Sequence, residues 1–325
     1  MGKQKKIISL AKIVLLNQVL LFLLSITEKS SAEAKKIKVV SPICTFADIA
    51  KNIGGDRVDV INLSDGLNDP HFVEPRPSMI IHMRNAEVVI PIGLRLDLWF
   101  FSLIEKSANP KIFEGSSGFI RTYEGVRILE VPEYKFGQPR IGDIHPEGNP
   151  HYWLPPDNAK AIAMNIAKKL SELYPEDKEF FIKNTEIFTK KIDEAVEDLK
   201  REFSRFEGVK AVQYHKTFTY FADFFKIKIV GEMEPYPGIP PTPSHISQLA
   251  EKMKKEGVEL IIYEPFRNKK DVEKLSKITS AIPTQIYADC VPQINELKDY
   301  ISLIRYNIRK IILNIEEREN NKKEK

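Results

Sequence analysis

Short β-branched and aliphatic runs alternate along the chain with longer stretches in which apolar residues recur every three or four positions. That alternation is the pattern of strands and helices in a parallel-sheet protein. In the first half the strand-like runs are Ile37–Ile43, Val58–Leu63, Glu87–Ile92 and Arg127–Val131. In the second half they are Val209–His215, Ile227–Glu232, Glu259–Tyr263 and Thr284–Ala288. Between the halves, Pro175 to Phe206 reads as one long helix, because Phe181, Phe188, Ile192, Val196, Leu199 and Phe203 fall on a single stripe. The pattern predicts an α/β fold of two lobes, 35–174 and 207–315, each a mostly parallel sheet flanked by helices. The lobes are joined by the helix 175–206, and the charged and amide residues 316–325 read as a fraying tail.

The first 34 residues break the pattern. Lys3, Lys5 and Lys6 precede an apolar run from Ile13 to Ile26, in which Asn17 and Gln18 are the clear polar interruptions. A membrane span needs about 20 residues, and the run is shorter than that. Ala32-Glu33-Ala34 follows it as an A-x-A cleavage pattern, so 1–34 is expected to be an export signal. Lys35 then begins a mature protein outside the cytoplasm, periplasmic or otherwise; a retained N-terminal anchor is the competing reading. No cysteine directly follows the apolar run, which argues against a diacylglyceryl anchor.

Composition adds exclusions. With 42% apolar and 29% charged residues the chain has an ordinary globular balance. Residues 1–34 supply five of the 49 basic and two of the 45 acidic side chains, so the rest is close to neutral. A nucleic-acid partner, which needs a basic footprint, is not expected.

Ligands of open α/β sheets bind beyond the carboxyl ends of the strands, so the chemistry is sought in the loops that follow them. Of the six histidines, His71 follows the second strand in N-D-P-H-F-V-E-P, and His151 lies in G-N-P-H-Y-W-L-P-P after the fourth. His215 ends the first strand of the second lobe, and Asp289 ends its last in I-Y-A-D-C. Three imidazoles and one carboxylate, two from each lobe, suit a tetrahedral borderline-soft cation, Zn2+ above all. No two of these histidines have H-x-x-x-H spacing, so spacing alone leaves a scattered, non-ligating set open. Pro70 and Pro150 restrict the backbone before two of the imidazoles. Asp69 and Glu74 are candidates to accept the other ring N–H of His71, and Glu264 stands as a residue behind the ligands. His82 and His245 read as surface or packing residues. Cys44 and Cys290 both approach the cleft and are expected as two free, semi-buried thiols.

These strings resemble those of the zinc/manganese family of metal-binding solute receptors of bacterial ABC transporters. The likeness runs through G-G-D-R-V-D-V (54–60), D-P-H-F-V-E-P (69–75), N-A-E-V-V-I-P-I-G (85–93) and N-P-H-Y-W-L (149–154). It continues through Y-H-K-T-F-T-Y-F-A (214–222), P-G-I-P-P-T-P-S-H (237–245) and Y-E-P-F (263–266). The resemblance implies a metal held between two lobes by His71, His151, His215 and Asp289. It also implies a membrane permease with its ATPase as partner, and no catalysis; a monomer is expected. Manganese-preferring members typically carry Glu where this chain has His215, which favours zinc. Many zinc members carry a His-rich loop, whereas Phe113 to Asp143 contains no histidine; His145 instead lies six residues before His151, as an entrance or transient ligand or as a plain loop residue. Competing readings are a manganese or iron receptor, an adhesin or metal chaperone, and a secreted zinc metallohydrolase with Asp289 or Glu264 as base.

Overall fold

The first lobe is built on three parallel strands: β1 (Ile37–Ser41), β2 (Val58–Asn62) and β3 (Val88–Val89), in the order β2-β1-β3. The structure is a computed structural model that describes residues 35–132, 145–234, 236 and 238–323. Helices α1 (Cys44–Gly54), α2 (Pro77–Asn85), α3 (Leu98–Ser107) and α4 (Pro156–Leu173) flank this sheet. The second lobe has four parallel strands, β4 (Lys210–Gln213), β5 (Lys228–Glu232), β6 (Leu260–Tyr263) and β7 (Ile282–Gln285), in the order β5-β4-β6-β7. Around it lie α6 (Thr219–Phe224), α7 (Pro243–Glu256), α8 (Lys269–Thr279) and the C-terminal α9 (Tyr300–Lys323). Both strand orders switch direction about their first strand, which opens a crevice at the carboxyl ends.

The long helix is α5 (Lys178–Phe203), extended by a 3-10 turn at each end to cover 175–206. Its buried face is Phe181, Thr185, Phe188, Ile192, Ala195, Leu199 and Phe203, with Val196 at the margin. At 1.5 Å per residue it runs about 39 Å, packing on α1 and α4 from one lobe and α9 from the other. One buried apolar cluster contains Phe46, Trp153 and Phe181 as well as Phe218, Ile286 and Tyr300. The halves therefore share a continuous core in addition to the helix.

Three sequence expectations shift. Arg127–Val131 is not a strand. Glu130 sits at φ +51°, which breaks an extended run, and Leu129 turns its N–H to the Tyr220 hydroxyl and its carbonyl to Asn149 N–H. The next parallel pairing beside Val89 is instead a single bridge at Phe119. The last strand begins two and ends three residues earlier than expected, at Ile282–Gln285, so Asp289 stands in a loop rather than at a strand end. The segment from Glu316 is helical to Lys323, as the last turns of α9. The export-signal reading of 1–34 lies outside the described residues. Among those described, no helix is long and apolar enough to cross a membrane.

Candidate metal centre

His71 and His151 are positioned by the same short device. Asp69 Oδ1 accepts both the backbone N–H of His71 at 3.0 Å and its ring Nδ1 at 2.6 Å. Asn149 Oδ1 likewise accepts the backbone N–H of His151 at 2.9 Å and its Nδ1 at 2.9 Å. In each case an Asx side chain closes a turn over a proline, and the proline fixes φ between acceptor and imidazole. Indole donors anchor the two loops: Trp99 Nε1 donates to Pro70 O at 2.8 Å, and Trp153 Nε1 to Ala288 O at 2.7 Å. Glu74 is exposed, and Asp69 is the acceptor for His71.

His215 lies two residues beyond β4 and has no such local partner. Its Nδ1 meets Glu234 Oε2 at 2.7 Å, across 19 residues of sequence and just past the end of the neighbouring β5. Asn149 Nδ2 reaches across to the carbonyl of Lys216 at 2.8 Å, linking the His151 loop to the His215 loop.

All three rings thus hand Nδ1–H to an oxygen. A carboxylate or amide oxygen only accepts, so the imidazole lone pair lies on Nε2 in each case. The ring centroid of His71 is 5.0 Å from that of His151 and 5.4 Å from that of His215, and the latter two are 5.1 Å apart. One nitrogen of each residue lies within 4.8 Å of the others. Zinc–nitrogen bonds of about 2.0–2.1 Å at tetrahedral angles place donors about 3.4 Å apart. Three buried or half-buried imidazole nitrogens gathered within 4.8 Å are a donor set whose chemistry suits a transition-metal ion.

Electrostatics favour the neutral form of His151. Burial pushes the His151 pKa well down, and the neighbouring imidazoles and Arg267 push the same way. Burial acts to raise the Asp69 carboxyl, but its hydrogen bonds to His71 and the charge of Arg267 outweigh it and hold it below the usual carboxylate range. Asp69 therefore stays an acceptor.

Asp289 is arranged differently from the histidines. It is buried, and its carboxylate accepts from Cys44 N (2.9 Å), Thr45 N (2.7 Å), Thr45 Oγ1 (2.7 Å) and Cys290 N (2.9 Å). It does not join the three-histidine group among the described residues. Burial raises its pKa against the pull of those donors. Gly66, at φ +76° in the loop that leads to His71, lies so close to the Cys290 carbonyl that a Cβ would stand 1.9 Å from it. Cys44 and Cys290 are both free and buried, and burial followed by the neighbouring Cys44 pushes the Cys290 thiol well up, away from a metal-binding thiolate.

The other candidates separate. His145 packs its ring 5.5 Å from that of His71 and places Nδ1 3.1 Å from the Leu94 carbonyl, outside the three-histidine group. Glu264 is fully buried, where it accepts from Thr217 Oγ1 at 2.5 Å. His82 and His245 are half-buried on α2 and α7, and His245 Nε2 pairs with the Glu232 carbonyl. Sequence reasoning missed Glu234 and Arg267. A carboxylate just past the strand adjacent to β4 was the signal for the first; E-P-F-R at another strand end was the signal for the second.

A family model described as zinc-uptake complex component A, periplasmic, matches residues 39–313. The metal ABC transporter substrate-binding lipoprotein ScbA of Streptococcus cristatus is 30% identical over 295 residues, 88% of this chain and 91% of its own. The manganese ABC transporter substrate-binding lipoprotein PsaA of Streptococcus pneumoniae is 28% identical over 307 residues, 92% and 96% of the two chains. In fold, the chain is similar to the periplasmic metal binding protein from Candidatus Liberibacter asiaticus. The TM-score is 0.71 at 22% identity, covering 86% of this chain and 99% of that one. Matched over nearly all of its two lobes, this chain belongs to the periplasmic component A family of zinc-uptake complexes, the extracytoplasmic metal-binding proteins of ABC importers rather than enzymes.

Proposed function

We propose that the protein is the receptor that captures Zn2+ outside the cytoplasm and delivers it to an ABC permease driven by its ATPase. The cargo is bound by Nε2 of His71, His151 and His215, with Asp289 as the fourth donor after its carboxylate exchanges some of its hydrogen bonds at the start of α1. The observation that carries this reading is the triad itself: three imidazoles with one nitrogen each within 4.8 Å, every ring oriented by an oxygen on Nδ1. Nitrogen donors favour zinc over manganese along the Irving–Williams order, and manganese prefers oxygen-rich shells. The carboxylates Asp69 and Glu234 touch the imidazoles and not the lone pairs, so they add charge without making the donor set oxygen-rich.

Manganese is the second reading, favoured by the name of the Streptococcus pneumoniae relative. A competition titration of metal-free protein with Zn2+ and Mn2+, paired with thermal melts, decides between them. A ligand at a thousandfold excess over its Kd adds about 4 kcal/mol to a fold that alone binds it. Zn2+ is expected to bind more tightly and raise Tm further than Mn2+, with Ca2+ and Mg2+ nearly inert. A larger shift with Mn2+ would overturn the zinc assignment and keep the receptor. A larger shift with Ca2+ would overturn the site.

A further inference from the structure

We propose that Arg267 is a positioning residue for the metal site, tying the carboxylate that orients His71 to the carboxylate that orients His215. The inference rests on the receptor reading and adds a residue that touches neither metal nor imidazole lone pair.

The guanidinium is 11% exposed and lies among three carboxylates. Nη1 is 3.3 Å from Asp69 Oδ2 and 3.8 Å from Glu234 Oε2, while Nε and Nη2 each stand 3.4 Å from an oxygen of Glu264. Asp69 and Glu234 come from different lobes, and each holds a different imidazole. A planar, permanently charged fork can serve several carboxylates at fixed angles, which an ammonium cannot. The fork is itself held in place. Arg267 N donates to Glu264 O at 3.0 Å, closing the turn after β6, and the guanidinium lies 5.0 Å from the ring of Phe266 and 5.6 Å from that of Tyr214. Tyr214 adjoins His215 in sequence, so the same cation braces the ligand's strand end and its carboxylate.

Arg267 places one cation within 4 Å of all three of these carboxylates. Removing Arg267 takes away the cation 3.8 Å from Glu234 Oε2, the oxygen that meets His215. Asp69 keeps a second hold through the His71 backbone N–H.

The test uses Arg267→Gln and Arg267→Lys in the full mature chain, with Co2+ as a spectroscopic probe and 15N NMR of the imidazoles in metal-free protein. In unaltered protein, His71, His151 and His215 are each expected as the single Nδ1–H tautomer. In R267Q, His215 should become a tautomer mixture while His71 and His151 hold theirs. Co2+ affinity should fall at least about tenfold, the range seen when a group behind a ligand is lost, and the visible band should change shape. R267K restores charge without the fork and should remain weakened. Unchanged tautomers with unchanged Co2+ affinity in R267Q, or tighter binding, would overturn the positioning role. If R267Q does not fold, R267K decides, because unaltered affinity there shows the fork is not needed. Failure of the unaltered protein to bind either Co2+ or Zn2+ overturns the receptor reading and this role together; binding that both variants leave intact overturns this role alone.

Discussion

The two lobes solve one problem, aiming an imidazole, by different means. In the first lobe the acceptor sits two residues before the histidine, with a proline between, and the acceptor oxygen also takes the backbone N–H. Ring and main chain are then set by local geometry that exists as soon as the loop forms. In the second lobe His215 waits for Glu234, which arrives only when β5 has paired with β4. Local orientation is insensitive to distant change; orientation through the sheet couples the ligand to everything that places β5. The charge that serves the local pair is also dispensable, because neutral Asn149 does for His151 what Asp69 does for His71.

The largest effect is expected from removing a donor in either lobe. His71→Ala and His215→Ala should each weaken Zn2+ binding by more than about 100-fold, above the 10–100-fold typical of groups behind the ligands. His82→Ala and His245→Ala should leave the affinity within a few fold. Isothermal competition against a chelator of known strength reads all four. Wild-type affinity in either of the first two would remove that residue from the site and, with it, one side of the comparison.

Acid should act on both lobes at once. A donor imidazole must be neutral, and imidazole titrates near pH 6.5. Affinity is expected to be flat above about pH 7.5 and to fall steeply below about pH 6.5. A site made of carboxylates would hold its ion down to about pH 4–5. Zn2+ affinity that stays constant from pH 7 to 5 at fixed ionic strength is incompatible with three histidine ligands.

A pair of conservative changes cuts closer to the difference between lobes. Asp69→Asn keeps an amide oxygen for both N–H groups, as Asn149 does naturally, and should cost a few fold in affinity. Glu234→Gln loses charge on a long side chain with no backbone tie, and should cost about 10–100-fold. Equal losses would show that the local turn confers no advantage.

That asymmetry also explains what could be read in the sequence. D-P-H and N-P-H are contiguous, so an acceptor, a rigid link and an imidazole stand in view, and Asp69 was recognisable as a partner. Glu234 and Arg267 meet His215 and Asp69 only through sheet pairing and the turn after β6, and no spacing rule reports a contact across 19 residues. The strand pattern was legible where strands carry buried aliphatic residues, as in β1, β4 and β6, and was read too late in the chain for β7, which buries only Thr284. It failed at Arg127–Val131, where Ile128 and Leu129 look strand-like yet a left-handed Glu130 and contacts to Asn149 and Tyr220 turn the segment into a loop. Asp289 was legible as a carboxylate following the last predicted strand, but its hold on Cys44 and Thr45 joins residues more than 240 positions apart.

The smallest expected effect concerns the metal-free scaffold, where the same contrast between local and distant contacts appears in pH dependence. Asp48 on α1 is bonded locally by Asn52 and distantly by the backbone N–H of Tyr300, which ties α1 to α9. Burial lifts its carboxyl from 3.8 to about 6 against those hydrogen bonds. Between these values the fold retains a proton that the unfolded chain has lost, so the group favours the fold in acid and its burial penalty is complete above about pH 6. His151 has the opposite sign. Its pKa lies well below 6.5, so as pH falls under that value the unfolded chain takes a proton that the buried ring refuses, and stability declines. Asp48→Asn keeps an oxygen for Tyr300 and removes only the first of these. The variant should melt a few degrees higher than unaltered protein at pH 7.5, and the gap should close as pH falls towards about 4. A gap that stays constant across that range would mean that the distant hydrogen bond, rather than burial of the charge, governs Asp48.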